Sequence, residues 1–258
     1  VNLSESKKIG NREYETMRKY SAGMYDLGQS KQDIGNGRIE QYLIENPPKE
    51  YGKRRIQCLH ETGRAGANYG IKLLLEESRK VDTKEQIKAT VMGYGNVAFG
   101  AIDELYRQGI PQIDILTKRT TNPSAIGTYL RNSDIVVNGV EQPAHLRGKN
   151  YLVTKEHVQS TIQPGTVIVD LIGGSPTNRC AVETIINCTY PHNPFFVENN
   201  VYFTSLWGWP LMGMQRKSVL RYSEQITDVL LSKEKLIKGL ITAPKNVKSA
   251  IVTNTHQR

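Results

Sequence analysis

Cysteine is scarce in this sequence, which contains only Cys58, Cys180 and Cys188 among its 258 residues. Their spacing matches neither the CxxC pairs of a metal clip nor the even-numbered framework of a disulfide-rich secreted domain. Long apolar runs are also missing, since none approaches the about 20 residues that a membrane-spanning helix requires. The opening residues, VNLSESKKIGN, lack the apolar core of a secretory signal. We therefore expect a cytoplasmic protein without a membrane partner.

Several motifs of catalysis and metal binding are absent as well. The sequence contains no serine nucleophile elbow, no P-loop and no pair of catalytic carboxylates. His145, His157 and His192 stand in polar surroundings without an acidic partner at the spacing of metal ligands, so we expect no metal site.

The net charge is strongly positive, at +9, and a basic chain can bind nucleic acid or an anionic small molecule. The Lys and Arg residues are spread along the chain, and neither an RNP-like aromatic motif nor a zinc finger accompanies them. A solvated, salt-screened surface explains this pattern better than a nucleic-acid face. We expect no nucleic-acid partner.

Strand and helix patterns alternate over residues 81–207. Short β-rich or continuously apolar runs (ATVMG, QIDILTKR, DIVVNGV, TVIVDLIGG and YFTSLW) are separated by helical segments such as AIDELYRQG and SAIGTYLRN. That alternation predicts an α/β fold with a Rossmann-type, doubly wound parallel sheet. Residues 1–55 show no such alternation, so we expect a truncated or divergent N-terminal part.

The segments that flank this region have distinct patterns. Residues 56–80 predict a linker helix, and its middle is crowded with Gly63, Gly66 and Gly70. Each Gly costs about 1 kcal/mol of helix propensity relative to Ala, so we expect another backbone to approach closely there. Residues 208–258 are expected to form a C-terminal lid and helix. The stretch SLWGWPLMGMQR should be mostly buried, either over a ligand or in a dimer interface.

The stretch VMGYGNVAFGA carries a glycine pattern at the junction of a predicted strand and a predicted helix. Gly93 would make the tight turn, Gly95 would let the backbone approach a pyrophosphate, and Ala98 would occupy the third small position. The amides of Asn96 and Val97 would point at the phosphates from the helix N-terminus. A glycine turn that packs a strand against a helix and binds nothing is the alternative.

The end of the second predicted strand bears on which dinucleotide fits. An acidic residue there commonly binds the adenosine ribose of NAD, whereas this strand ends in ILTKRTT, with Thr117, Lys118 and Arg119. A Lys and Arg pair flanked by hydroxyls suits the 2′-phosphate of NADP, and Asp114 lies within the strand rather than at its end. We expect the cofactor to be NADP; two solvated charges on a surface turn are the alternative.

The motifs GYGNVAFGA, DIVVNGVEQP and QPGTVIVDLIGG, with a later Pro210 and the pair Arg216 and Ser218, resemble the alanine dehydrogenase and pyridine nucleotide transhydrogenase family. The resemblance is greatest to its carboxyethylornithine synthase branch, which joins pyruvate to the side-chain amine of ornithine with NADPH. It implies an NADP-dependent oxidoreductase that acts on an amino acid, or on an imine of an amino acid and a 2-oxo acid. It also implies small-molecule partners and a homo-oligomer.

The resemblance assigns further cofactor-binding residues. The loop after the third strand contacts the nicotinamide ribose in this family, which carries over onto Asn138, Gly139 and Val140. Asp170 matches the first Asp of the family's V-D-V-A-I-D stretch and is expected to belong to the cofactor site.

The sequence departs from the family in two places. Gly174 stands where the family's second Asp acts at the substrate, and residues 1–55 do not resemble the N-terminal half-domain that supplies other substrate-binding residues. Either the catalytic half is lost, is supplied by a partner chain or lies outside this sequence, or the protein is a binding or regulatory relative with a nucleotide fold but no turnover.

Two residues are candidates for catalysis. His60, on the small-residue helix, could act as a proton donor in a cleft, although a lone His on a packed helix is also a common structural residue. Arg216 could clamp a substrate carboxylate or phosphate, and an ordinary ion pair on a helix is the alternative.

Overall fold

The computed structural model describes residues 58–118, 120–121 and 123–227. Within this part, Leu59–Met214 belongs to one compact unit, and Cys58 with the helix Gln215–Thr227 belongs to a second. The predicted N-terminal segment 1–55 lies outside the described residues, as does the end of the predicted C-terminal region.

A six-stranded sheet in the order β2-β1-β3-β4-β6-β5 forms the centre of the first unit. All neighbouring strands of the sheet are parallel except β5 and β6, which are antiparallel. The strands are β1 (Lys88–Met92), β2 (Gln112–Leu116), β3 (Ile135–Asn138), β4 (Val167–Asp170), β5 (Phe196–Glu198) and β6 (Val201–Thr204).

Helices connect and cover the strands. In chain order the α-helices of the described part are α1 (Leu59–Leu73), α2 (Asn96–Arg107), α3 (Pro123–Asn132), α4 (Lys155–Ser160) and α5 (Gln215–Thr227). A π-helical turn (Leu74–Ser78) extends α1, and single 3-10 turns are formed by Lys84–Gln86 and Trp209–Leu211.

Both faces of the sheet are buried, which explains the continuous apolar runs of its central strands. All residues of β3 and β4 are buried. Because side chains alternate along a strand, Val137 and Val169 pack into the cluster that contains residues of α1 and α2. Val136 and Ile168 pack into a second cluster with residues of α3 and α4. The predicted Rossmann-type, doubly wound fold is thus confirmed.

The sheet edge contains a strand that the sequence analysis missed. β5 and β6 form an antiparallel hairpin, and the turn between them has positive φ at Asn199 (51°) and Asn200 (58°). Two consecutive residues with positive φ are the requirement of a tight two-residue hairpin turn, and Asn tolerates this conformation. The Asn–Asn pair in VENNVYF is the sequence feature from which this hairpin turn could have been predicted.

The small residues of α1 meet the backbone of α2, as expected. A Cβ atom added to Gly63 would overlap the carbonyl oxygen of Val97, and one added to Gly100 would overlap that of His60. Farther along α1, Gly66 and Gly70 face Val169 of β4. The two glycines at the crossing allow main-chain contact between the helices, which compensates for their poor helix propensity.

The region after β6 is partly exposed in the single chain, and its burial over a ligand or in a dimer interface stays a prediction. Trp209 is buried, but Trp207 is 64% and Leu211 is 53% exposed. The helix that follows begins at Gln215, after Gly213, whose positive φ is not helical. Within the described ranges, no helix has the length and apolar character needed to cross a bilayer.

Candidate functional site

The glycine turn lies at the carboxyl edge of the sheet, directly after β1. Gly93 has φ of +96°, a left-handed conformation that side chains other than Gly rarely adopt. Its amide donates to the carbonyl of Leu116 at 2.8 Å. A Cβ atom at this position would lie 3.1 Å from both the Gly139 carbonyl oxygen and Val140 Cγ2. Conformation and space therefore both favour Gly at position 93.

The N-terminus of α2 follows this turn with its first amides open. Gly95 is the N-cap residue and has no side chain that could accept from them. Amides in the first turn of a helix have no intrahelical acceptor, so those of Asn96 and Val97 are available to a ligand. α4 differs, because the side chain of its N-cap residue Thr154 accepts from the His157 amide.

The loop after β3 packs directly on the start of α2. The amide of Gly139 donates to Met92 at 2.9 Å, and a Cβ atom on Gly139 would lie 2.7 Å from the Cβ of Ala98. Ala98, in the third small position of the glycine motif, therefore lets this loop approach. The turn after β1, the start of α2 and the loop after β3 form one closely packed edge, which we call the glycine edge (Gly93–Val97 and Asn138–Val140).

Asp170 stands at the end of β4 with its side chain completely buried. It pairs in the sheet with Asn138, whose Nδ2 donates to Asp170 Oδ1 at 2.7 Å. Ser205 Oγ donates to Oδ2 at 2.7 Å, and the Gly173 amide donates to Oδ2 at 2.9 Å. Burial raises the pKa of this carboxyl group, while the hydrogen bonds oppose that rise. The Asp170 carboxylate thus connects Asn138, Gly173 and Ser205 beneath the surface of the carboxyl edge. Its direct contact with a cofactor stays a prediction.

Ser205 and Trp209 belong to the same network, and the sequence analysis did not single them out. The indole Nε1 of the buried Trp209 donates to the Asp170 carbonyl at 3.0 Å. A buried Trp usually needs an acceptor, and Ser205 directly follows a strand at the carboxyl edge. Those two features were the available signals, but the chain alone does not identify Asp170 as their partner.

The loop after β2 contains the residues expected at the adenosine end. Thr117 follows the strand, and its amide donates to Thr120 Oγ1 at 2.8 Å in a tight turn. Lys118 is exposed on this turn, and Arg119 lies outside the described residues. Asp114 pairs with Thr90 inside the sheet, and burial raises the pKa of its carboxyl group. Its carboxylate is therefore not at the end of β2, where an acid would face a ribose.

The comparisons with known proteins identify the family. The family model described as "Alanine dehydrogenase/PNT, C-terminal domain" matches residues 77–257. The chain belongs to this family. No curated protein matches the chain significantly.

Among the solved structures that this chain is similar to, an L-alanine dehydrogenase shares its fold. This L-alanine dehydrogenase aligns with a TM-score of 0.57 and 17% identity, over 74% of this chain and 55% of its own. A D-isomer specific 2-hydroxyacid dehydrogenase from Xanthobacter autotrophicus Py2 aligns with a TM-score of 0.37 and 16% identity, over 64% of this chain and 68% of its own. A D-lactate dehydrogenase from Salmonella aligns with a TM-score of 0.40 and 12% identity, over 70% of this chain and 69% of its own. The chain thus spans about half the length of the L-alanine dehydrogenase.

Gly174, where we expected the family's second Asp, lies in a crowded turn after β4. The preceding Gly173 has φ of +77°, and Cys188 Sγ donates to the Gly174 carbonyl at 3.4 Å. A Cβ atom on Gly174 would lie 3.2 Å from the Cys180 amide nitrogen. This turn is therefore built around Gly, and a side chain at position 174 would require a small shift of its neighbours.

His60 lies in the first turns of α1, in the interface with α2. Its Nε2 is 3.6 Å from Asp103 Oδ2, and its ring stacks on Phe99 with centroids 6.1 Å apart. Phe99 in turn contacts Tyr94 of the glycine turn, with ring centroids 6.4 Å apart. Burial raises the pKa of the Asp103 carboxyl group, while the positive charges of Arg107 and Arg64 oppose that rise. His60 thus lies one aromatic ring away from the glycine edge, and its role as a proton donor stays a prediction.

Arg216 is exposed on α5, in the second unit. Its role as a substrate clamp stays a prediction. In the described part of the chain, no three His, Cys, Asp or Glu side chains form a group that could hold a metal ion.

Proposed function

We propose that this chain binds NADP at the glycine edge and forms the nucleotide-binding part of an oxidoreductase. Its substrate would be an amino acid, or an imine of an amino acid and a 2-oxo acid. The observation that carries the proposal is the fit of three small residues: Gly93, Ala98 and Gly139 leave no room for a larger side chain where two loops and a helix meet. Membership of the alanine dehydrogenase/PNT family supports a pyridine nucleotide as the cofactor and an oxidoreductase as the class of enzyme.

The residues of the glycine edge suit a dinucleotide. Open amides at the N-terminus of α2 attract negative charge, because the helix dipole is positive there. Gly95 and the left-handed Gly93 expose main chain rather than side chains to a phosphate. The pyrophosphate would be held by Gly93, Gly95, Asn96 and Val97.

The remaining roles follow from position along the carboxyl edge. Thr117, Lys118 and Arg119 would hold the adenosine end, and Asn138, Gly139 and Val140 would hold the nicotinamide ribose. A bound nicotinamide supplies hydride transfer, so the protein has to orient it and exclude water. The loop after β3 would present one face of the nicotinamide ring to the substrate. Contact with Ala98 fixes the position of this loop.

Preference for NADP over NAD rests on the loop after β2. The sequence TKRTT contains no carboxylate that would repel a 2′-phosphate, and Asp114 is held inside the sheet. Lys118 is exposed and adjacent to hydroxyl side chains, so it can donate a charge-assisted hydrogen bond to phosphate.

Equilibrium titration with each dinucleotide, at constant ionic strength, tests the cofactor. We expect NADP to bind more tightly than NAD, and Lys118→Ala and Arg119→Ala each to weaken NADP about tenfold with little change for NAD. Lys88→Ala is the matched control, because it removes the same charge from the exposed opposite end of β1. Equal affinities for the two dinucleotides, or the same loss in all three variants, would refute the preference.

A second candidate function is a nucleotide-binding protein without turnover, acting alone or within a complex. Gly174, in its crowded turn, favours it because the expected acid is missing. We propose a homo-oligomer in both cases, and a partner chain with the other half-domain in the second.

Activity and assembly measurements separate the two candidates. NADPH absorbance is followed with a 2-oxo acid and an amine added to the purified chain, and light scattering gives its molar mass. Oxidation of NADPH that depends on both substrates supports the enzyme and rejects the candidate without turnover. Dinucleotide binding without oxidation supports the second candidate, and a monomeric mass rejects the homo-oligomer.

A further inference from the structure

Asn138 connects the buried carboxylate of Asp170 with the loop after β3. Both residues are 0% exposed and face each other across neighbouring strands. Asn138 Nδ2 donates to Asp170 Oδ1 at 2.7 Å, while Asn138 Oδ1 accepts from the Val140 amide at 3.2 Å. The side-chain amide therefore bridges a buried carboxyl group and the main chain of the glycine edge.

The hydrogen-bond donors around Asp170 determine which way the Asn138 amide points. Ser205 Oγ and the Gly173 amide donate to Asp170 Oδ2, and Oδ1, as the second acceptor oxygen, requires the NH₂ end of the Asn138 amide. The carbonyl end then faces the Val140 amide, which needs an acceptor. With the amide reversed, an oxygen would face a carboxylate and an NH₂ group would face an N–H. Asp170 therefore excludes the orientation that would release the loop.

The loop held in this way contacts the glycine turn. Val140 Cγ2 and the Gly139 carbonyl oxygen lie 3.1 Å from the position that a Cβ atom on Gly93 would occupy. A change in the loop at Val140 thus alters the space beside Gly93, although Asp170 itself has no exposed surface.

We propose that Asp170 is a positioning residue, which orients the Asn138 amide and thereby holds the loop Gly139–Val140 in the conformation that receives the dinucleotide. This inference rests on the proposed function for its binding consequence. Its structural consequence, the ordering of the Val140 amide, can be measured without any ligand.

The first test variant is Asp170→Asn. It replaces one acceptor by an NH₂ group, and each of its two orientations creates a conflict. If the NH₂ group faces Gly173, that amide loses its acceptor; if it faces Asn138, the amide of Asn138 has to turn and its own NH₂ group meets Val140. We expect dinucleotide affinity to fall about tenfold or more and hydrogen exchange at Val140 to accelerate.

The decisive variant exchanges the two residues, as Asn138→Asp with Asp170→Asn. The new NH₂ group at position 170 would donate to the carboxylate at position 138, whose other oxygen would accept from Val140. The remaining oxygen at position 170 would accept from Gly173 and Ser205. Only the long bond of 3.4 Å from the Ile172 amide would be lost. We expect this double variant to regain affinity to within about threefold of the wild type, and to regain slow exchange at Val140.

Ser205→Ala is the matched control. It removes a donor to Asp170 Oδ2 but leaves the bond between Oδ1 and Asn138. We expect lower resistance to urea with unchanged dinucleotide affinity. If Asp170→Asn does not fold, the comparison of the double variant with Ser205→Ala still decides whether the residue pair 138 and 170 holds the loop Gly139–Val140.

Three measurements are made on each protein: dinucleotide affinity, exchange at Val140 and urea unfolding. Affinity loss that follows stability loss equally in Ser205→Ala and Asp170→Asn would overturn the proposal, as would a stable double variant with fast exchange at Val140. A wild type that binds neither dinucleotide would refute the proposed function instead. In that case the exchange rates alone decide whether Asp170 positions the loop.

Discussion

Replacing Gly63 with Ala is expected to destabilise the protein, although Ala is the better helix former. In an exposed helix this change would gain about 1 kcal/mol. Here the new Cβ atom would overlap the Val97 carbonyl oxygen and lie 2.6 Å from the Ala101 nitrogen, whereas ordinary contact begins at 3.4 Å. Both neighbours are main-chain atoms of α2, so no flexible side chain can make room.

The helices therefore have to separate, and the cost can be estimated. Overpacking a well-packed site costs about 1–3 kcal/mol, and a clash with main chain belongs at the upper end. Subtracting the gain in propensity of about 1 kcal/mol leaves a net loss of about 2 kcal/mol in the free energy of unfolding. For a domain of this size, that loss lowers Tm by about 4–8 °C.

Thermal and urea unfolding followed by circular dichroism measure this effect. Gly127→Ala on α3 is the matched control, because its Cβ atom would meet only Thr161 Cγ2, at 3.9 Å. The control should gain about 0.5–1 kcal/mol. Equal stabilisation by both substitutions would show that α1 and α2 do not cross at Gly63, and would refute the reasoning.

Three further predictions concern the loop after β3, a buried acid and a helix cap. Gly139→Ala should weaken dinucleotide binding about tenfold in a titration, because its Cβ atom would lie 2.7 Å from Ala98 Cβ and displace the loop. Asp114→Asn should raise the urea midpoint more at neutral than at acidic pH: burial raises the pKa of Asp114, so the wild type loses stability as pH rises from its unfolded pKa of about 3.9 through its folded pKa. The wild type should also lose stability as pH falls below about 6.5, since burial lowers the pKa of His157, whose neutral Nδ1 accepts from the Thr154 amide. His157→Gln should keep the cap and abolish that dependence, and an unchanged pH profile of stability would contradict this account.

Local chemistry made much of the fold predictable. Continuous apolar runs such as TVIVDL indicate strands covered on both faces, and β4 is buried throughout. Gly109 follows α2 with φ of +80°, the left-handed conformation that favours Gly at a helix end. The crowding of Gly63 and its neighbours on one helix predicted a close approach, which the crossing with α2 confirms.

Other features depend on contacts that no local pattern specifies. The sequence could not distinguish Trp207, exposed in the single chain, from the buried Trp209, because an apolar residue has the same local pattern whether it faces the core or the surface. β5 was missed because it is short and its pairing depends on the Asn199–Asn200 turn. The bonds of Asp170 to Asn138 and Ser205 join residues 32 and 35 positions apart, so they form only after the strands are placed side by side.

The sequence by itself determined the alternation of helices with the strands other than β5, the glycine turn at Gly93 and the absence of an acid after β2. These depend on backbone conformation, side-chain periodicity and residue type, which act over a few neighbouring positions. Only the tertiary structure decided that Ala98 meets Gly139 and that Asp170 is a buried partner of Asn138 rather than an exposed ligand group. The reason is that burial and hydrogen-bond partners are set by segments far apart in the chain, which the parallel sheet brings to one edge.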